Sequence, residues 1–307
     1  MVSPRQVARA IGASESSLKR WCDSGQLPVI RTVGGHRRIP VKAVLSFVKE
    51  KGHPLVDPAI IGLPAAVGSG AITLSRAGEV LMEAVTTGNE SLALRCLLDL
   101  YLGDVPMTTV FDDVVQTVLS GVGERWAAGE LEIYEERRGV EFVSQTLFEF
   151  GRMIGGTFDE DAPVAMGGTA SEDPYVLAPR MADLTVREVG FRSSFLGCGL
   201  PFGTMEKAIE NERPALFWLS VSSLGPDESR FIRGCNDLFK QCEAVGTMFV
   251  IGGRSLSPEL RRQVSYHSFC DTMGHLSKLA KSVITKRNAA AATGQSVDRS
   301  DGTNRLP

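Results

Sequence analysis

Apolar positions in the first 53 residues recur at helical spacing in three short stretches, each bracketed by residues that start or stop a helix. In SPRQVARAIGA, Val7, Ala8 and Ile11 share one face, with Ser3 at the N-cap and Pro4 at the first helical position. Gly12 breaks the period, and SESSLKRWCDSG resumes it with Leu18 and Trp21 as an i, i+3 pair between a Ser14 cap and a Gly25 stop. VIRTVGGHRRIP has two short extended arms around Gly34-Gly35, which predicts a hairpin with a glycine turn. VKAVLSFVKEKG is helical again. The order predicts a winged helix–turn–helix over residues 1–53.

Residues 54–72, PLVDPAIIGLPAAVGSGAI, are rich in Pro and Gly with no amphipathic period, and read as a linker. From 73 to 160, AGEVLMEAVTTG, NESLALRCLLDLYLGD, VFDDVVQTVLSGVGERWAAGE and EERRGVEFVSQTLFEFGRMIGG each repeat apolar residues every three or four positions. Short polar joints between them predict a four-helix bundle. After Gly155-Gly156 the pattern changes. Short apolar runs (PVAMGGTA, SSFLGCGL, ALFWLSVSS, TMFVIGG, SYHSFCDT) alternate with helical stretches such as VLAPRMADLTVREVG and DESRFIRGCNDLFKQCEAV. That alternation predicts a doubly wound, Rossmann-like parallel sheet over 161–286. Residues 287–307 are small and polar and read as a disordered tail. The fold class is therefore multidomain α plus α/β.

Length agrees with this division, since 307 residues exceed a single-domain norm of about 150. No run approaches the roughly 20 apolar residues that cross a bilayer, and the opening MVSPRQVARA has no apolar secretory core, so a cytoplasmic protein without a membrane partner is expected. Cys22, Cys96, Cys198, Cys235, Cys242 and Cys270 are scattered without a CxxC pair and read as reduced thiols, mostly in cores. The net charge of −3 hides an asymmetry: residues 1–53 hold ten Lys/Arg against three acids, a net +7, leaving −10 on the remainder. A small basic module joined to a larger acidic one fits a chain whose first part alone meets a polyanion.

The residues of that first part fit the same partner. The second helix exposes Ser14, Ser17, Lys19 and Arg20, types that read base edges or phosphates from the major groove. The wing adds Arg31, Thr32, Gly35, His36, Arg37 and Arg38 for the backbone or minor groove. Trp21 reads as a core residue. The run RWCDSGQLPVIRTVGGHRRIP resembles the W-x-x-x-G-x-L-P…RT-x-G-GHRR pattern of the MerR superfamily, over residues 3–51. The resemblance implies binding to a double-stranded DNA operator, with the His36-Arg37-Arg38 positions at the DNA. MerR proteins dimerise through a long helix after the wing. Here that place is Pro/Gly-rich, so a homodimer or tetramer contact is expected in the bundle or the α/β part.

The rest of the chain resembles the cobalamin-binding half of CarH/LitR-type photoreceptor repressors, which shares the fold of the cobalamin module of methionine synthase. Nine residues separate Trp126 from Glu136, as in the W-x9-EH element over the cobalt's upper face. Ser220-Val221-Ser222 stands where the family has S-x-L, and Gly252-Gly253 where the nucleotide tail lies against GG. Two positions depart from the pattern. The D-x-H-x-x-G loop with the lower cobalt ligand corresponds to Asp173-Pro174-Tyr175-Val176-Leu177-Ala178, so Tyr replaces His. The upper-face His is Arg137, and no histidine occurs between His53 and His267. A neutral phenol is a poor cobalt ligand and arginine stays protonated, so His-ligated cobalamin is not expected.

Trp126, Glu136, Arg137, Asp173, Tyr175, Ser220, Ser222, Gly252 and Gly253 are thus the candidate ligand-pocket residues. No metal site and no catalytic residue is expected: no Ser/His/Asp, HExxH or paired-carboxylate pattern stands out, and GGTASED lacks a phosphate-binding glycine arrangement. The expectation is a transcriptional regulator, not an enzyme, with no cofactor. Two alternatives stay open. One is a light- or ligand-responsive photoreceptor holding cobalamin or another tetrapyrrole. The other is a ligand-independent regulator that binds a protein partner through its C-terminal half.

Overall fold

The computed structural model describes residues 1–154 and 161–292. The N-terminal unit opens with α1 (Pro4–Ala10), where Ser3 and Gln6 form a reciprocal capping box, and α2 (Glu15–Asp23), where the Ser14 hydroxyl accepts from Ser17 N–H. The wing is the antiparallel pair β1 (Ile30–Arg31) and β2 (Arg37–Arg38), with Ile30 opposite Arg38 and Arg31 opposite Arg37. Its turn needs Gly35, whose φ of +77° is costly for any residue with a Cβ. Helix α3 (Val41–Lys51) closes the unit and ends on Gly52 in the left-handed region. Val7, Leu18, Leu27, Ile39, Val44 and Leu45 are buried between these elements.

The stretch 54–72, expected as a linker, is instead a packed strap. Val56 and Asp57 N–H groups donate to Ala10 O at 2.7 and 3.1 Å, and Gln6 donates to Ile60 O at the end of a 3₁₀ turn, Pro58–Ile61. Ile61, Leu63, Val67 and Ile72 are buried. Their irregular spacing suits a turn-rich segment that buries side chains one at a time, and such spacing leaves no period to read. Further along, Gly68 N–H donates to Asp99 Oδ1 at 2.6 Å.

Four rods follow: α4 (Leu74–Thr87), α5 (Glu90–Leu102), a continuous helix made of α6 (Met107–Thr109), a π-helical segment Val110–Val115 and α7 (Gln116–Ala127), and then α8 (Ile133–Ile154). Leu81, Leu97, Leu98, Phe111, Leu147 and Phe150 fill their centre. Helix α3 packs on α5 and α8, so the winged helix and the bundle share one apolar core. At that seam the Lys49 ammonium sits 4.0 Å from the Tyr101 ring centroid and 3.7 Å from Asp104 Oδ1.

The last unit is a parallel five-stranded sheet built from β3 (Val164–Thr169), β4 (Arg192–Phe195), β5 (Leu216–Ser220), β6 (Met248–Gly252) and β7 (Ser268–Phe269), in the order β4-β3-β5-β6-β7. Side chains alternate between faces as the pleat requires. Phe217, Leu219, Phe249 and Ile251 pack under α10 (Phe202–Glu212), α11 (Glu228–Val245) and α12 (Pro258–Arg261). Ala165, Leu216, Trp218 and Val250 meet α9 (Leu177–Val189) and α13 (Met273–Ala292). The multidomain α plus α/β fold is the one expected. The last helix runs on to Ala292 through residues expected to be tail, and positions 293–307 of that expected tail lie outside the described residues, as do bundle positions 155–160. Among the described residues, no helix is long and apolar enough to cross a membrane.

One carboxylate fastens the bundle to the sheet unit. Asp112, inside the π-helical segment, accepts from the Met273 and Gly274 N–H groups at 2.8 and 2.9 Å and so caps the start of α13. Asp112→Ala is expected to cost about 1–2 kcal/mol, read as a lower urea midpoint with an unchanged slope.

Candidate functional sites

The sequence points to two sites, one in the winged helix and one at the C-terminal edge of the sheet. In the first, Lys19 and Arg20 are exposed on α2, and Arg31, Thr32 and His36 are exposed on the wing. Not all the expected contact residues are free. Ser14 and Ser17 are engaged in the cap of α2, hydroxyl to hydroxyl at 3.0 Å. Thr32 holds the turn, accepting from Gly35 N–H through its carbonyl and from His36 N–H through its hydroxyl. Arg37 is half-buried, its guanidinium 2.7 Å from Asp23 Oδ1, so an ion pair orients it between wing and helix. Arg38 is half-buried as well, beside Ile39, which pairs with Val2. Trp21 packs against Phe47 and His53 at 4.9 and 5.0 Å, a core role as expected.

The second site lies where the sheet order reverses. The connection from β3 leads to β4 on one side while β5 lies on the other, which opens a crevice beyond the strand ends, the usual ligand position in open α/β sheets. Asp173 organises this crevice. Its Oδ2 accepts from Ser222 and Ser223 N–H at 2.6 and 3.2 Å, and its Oδ1 from Tyr175 N–H at 3.1 Å. Burial pushes the Asp173 carboxyl above the usual carboxylate range, and the three N–H groups and Arg254 oppose that shift. Gly253 closes the floor with a φ of +135°; a Cβ there would stand 2.2 Å from Val221 O. Ser255 Oγ donates to Ser222 O at 2.8 Å. Next to the loop is a cavity of about 100 Å³ lined by Glu172, Asp173, Phe202, Ser223, Asp227 and Phe231.

Tyr175 stands at the centre, with the guanidinium carbons of Arg254 and Arg137 5.3 and 5.8 Å from its ring centroid. Arg137 reaches over from α8 and is also 3.4 Å from the half-buried Glu136. Of the expected pocket residues, the structure thus gathers Arg137, Asp173, Tyr175, Ser222 and Gly253, with Ser220 and Gly252 paired in the strands behind them. Trp126 is 47% exposed at the end of α7, and no hydrogen bond or ring contact among the described residues ties it to Tyr175. Sequence reasoning passed over Arg254, although it directly follows the Gly252-Gly253 pair. It also passed over Arg180, which lies 5.4 Å from the Phe148 ring and 5.6 Å from that of Phe195. Nothing in local spacing marks Arg180, because the aromatic rings come from α8 and β4.

Where the resembling family places a histidine, the structure has the Tyr175 phenol with Arg137 and Arg254 against its ring, and a neutral phenol is a poor ligand for cobalt. Among the described residues, no group of three or more His, Cys, Asp or Glu could hold a metal. His267 accepts from Phe249 N–H through Nδ1 and faces Glu243 through Nε2, and His275 pairs with Asp271. Behind the crevice the Trp218 indole, 2% exposed, fills the space beside Gly167, where a Cβ would stand 2.2 Å from it.

Residues 1–52 match a helix-turn-helix domain family. No curated protein matches the chain. Among solved structures, it is similar to the monomethylamine corrinoid protein of Methanosarcina barkeri, with 15% identity, a TM-score of 0.55, and coverage of 69% of this chain and 100% of that one. A cobalamin-binding protein of Desulfitobacterium hafniense DCB-2 matches with 15% identity, a TM-score of 0.37 and coverage of 71% and 98%. The first likeness is one of fold: the chain joins a helix-turn-helix domain to a fold like that of cobalamin-binding proteins.

Because Asp173 ties two loops together, Asp173→Ala is expected to lower stability by about 3 kcal/mol, read from the denaturant midpoint.

Proposed function

We propose that the chain is a DNA-binding transcriptional regulator with a MerR-type winged helix, whose C-terminal half acts as a sensor and oligomerisation module without His-ligated cobalamin. The observation that supports this reading is the pairing of an exposed, capped α2 bearing Lys19 and Arg20 with a basic wing fixed beside it by the Arg37–Asp23 pair. A helix of this kind enters a major groove while the wing follows the phosphates. The partners are then a double-stranded operator and further copies of the chain, since a module of this size gains affinity by binding two half-sites. No enzymatic role is assigned.

A second reading has the fold in its favour. It is a photoreceptor regulator that holds cobalamin or another tetrapyrrole in the crevice. Tyr175 between two guanidiniums speaks against a cobalt ligand at that position.

The decisive experiment uses an operator recovered by selection from random duplexes. Arg20→Ala and Arg37→Ala are expected to abolish the shift at 150 mM salt with the unfolding midpoint lowered only slightly, since a half-exposed, solvent-screened ion pair such as Arg37–Asp23 contributes about 1 kcal/mol. The salt slope of residual binding by Arg37→Ala should be shallower by about 1 if Arg37 contacts a phosphate. Undiminished binding by both variants would remove the assignment. In parallel, adenosylcobalamin added in the dark is expected to wash away on desalting and to leave the shift unaltered by light. Retained corrin would favour the second reading.

A further inference from the structure

Helix α13 carries a cationic surface outside both sites. Residues 272–292 contain Lys278, Lys281, Lys286 and Arg287 and no Asp or Glu, in a chain that is acidic beyond position 53. The first half of the helix is anchored. Leu276, Ala280 and Val283 are buried against the sheet, and Ile284 Cδ1 would stand 3.7 Å from a Cβ on Gly190, at the end of α9. From Thr285 to Ala289 every residue is exposed, so the helix runs on past the body. Lys278, Lys281, Ser282 and Thr285 recur at three- and four-residue spacing along its outer side. The Ser282 and Thr285 hydroxyls donate back to Leu279 O and Lys281 O, which leaves the cations as the groups presented to solvent. Among the described residues, Lys278, Lys286 and Arg287 form no ion pair.

Cations near a helix C-terminus can serve the helix itself, but that effect fades within the last turn, and the last turn of α13 holds no basic residue. Nor does the exposed side suit a protein or a lipid surface. Between Lys278 and Ala289 it is lined by Lys, Arg, Ser, Thr, Asn and Ala, with none of the bulky apolar or aromatic side chains that anchor such contacts. A repeating polyanion matches it, because phosphates reward spaced cations and need no apolar anchor. The helix also lies beside the DNA-facing unit. Glu188 of α9 faces both Lys281 and Lys49 of α3 and accepts from Met107 N–H; burial pushes its carboxyl above the usual range, and these three groups oppose the rise. We infer that the exposed half of α13 is a second duplex contact, which holds phosphates flanking the half-site read by α2 and the wing without reading their sequence. The inference rests on the DNA-binding reading and adds a second element that meets the same partner.

The test measures binding of the full chain to three duplexes across a salt series. They are the selected operator trimmed to its core, that core with about ten further base pairs on each side, roughly one helical turn, and a long duplex of unrelated sequence. Lys286→Gln and Arg287→Gln, made together, are expected to weaken binding to the flanked operator and to the unrelated duplex about tenfold at about 150 mM salt. The salt slope on both should become shallower by about 2. Binding to the trimmed core should stay as it is in the unchanged chain. Lys286→Arg with Arg287→Lys, which keeps both charges, should behave as the unchanged chain on all three duplexes, and so should Arg262→Gln on α12. The inference is overturned by an unchanged slope on both longer duplexes or by an equal loss on the trimmed core. It is also overturned if the glutamine pair alters only the oligomeric state seen in sedimentation, which would make α13 a contact between copies. The unrelated duplex keeps the two readings separate: if no operator can be selected yet the glutamine pair still flattens the slope on that duplex, the regulator reading fails and the α13 contact stands.

Discussion

One apolar core joins the first two units to α9, beside two separate cores on the faces of the sheet. It begins at Val2 and Val7 under the wing, passes through α3 into the bundle around Leu97, Phe111 and Phe150, and ends on Met181 and Leu184 of α9. Burial of each such side chain contributes about 1.5–3 kcal/mol, so a seam formed by several of them resists opening. The DNA-facing unit, the bundle and the first helix of the α/β unit are therefore layers of one packed body. The polar contacts at the seams direct this packing. The strap donates to Ala10 O, Lys49 lies over Tyr101, and Asp112 caps α13.

This arrangement limits how a signal can pass through the chain. Interiors packed at crystal-like density shift between discrete arrangements and do not deform smoothly. A ligand that draws α8 toward the sheet edge acts on the same helix that supports α3. The crevice and the winged helix are thus linked through one rigid element. The π-helical segment in the neighbouring rod is a place where register is already locally altered, and its Asp112 makes α13 depend on that altered register.

Much of this could be read from residues alone. The winged helix was legible because each boundary has its own chemistry: the Ser3 and Ser14 caps, Gly35 at the wing turn, Gly52 after α3. The sheet was legible from its alternating strands, and the D-x-Y loop and the Gly252-Gly253 pair pointed to the crevice. What escaped has a common cause. The strap buries Ile61, Leu63 and Val67 one by one along a series of turns, so no period betrays it. The π-helical segment keeps the apolar rhythm of the helix around it. Arg180 takes its meaning from Phe148 and Phe195, residues 32 positions before and 15 after it, and a local pattern contains no such pairing.

The packed strap has a consequence for the geometry of DNA itself. A reader domain on a loose tether tolerates half-sites at many separations, because the tether absorbs the difference. Here the strap is bonded at Ala10 and Asp99 and buries Ile61, Leu63 and Val67 between them, so α2 has a set direction relative to the body. Any assembly that presents two such bodies to one duplex measures distance along the helix axis and, with it, rotational phase. Half-sites moved by half a turn of the double helix would face away from each other, and only torsion in the DNA could bring them back.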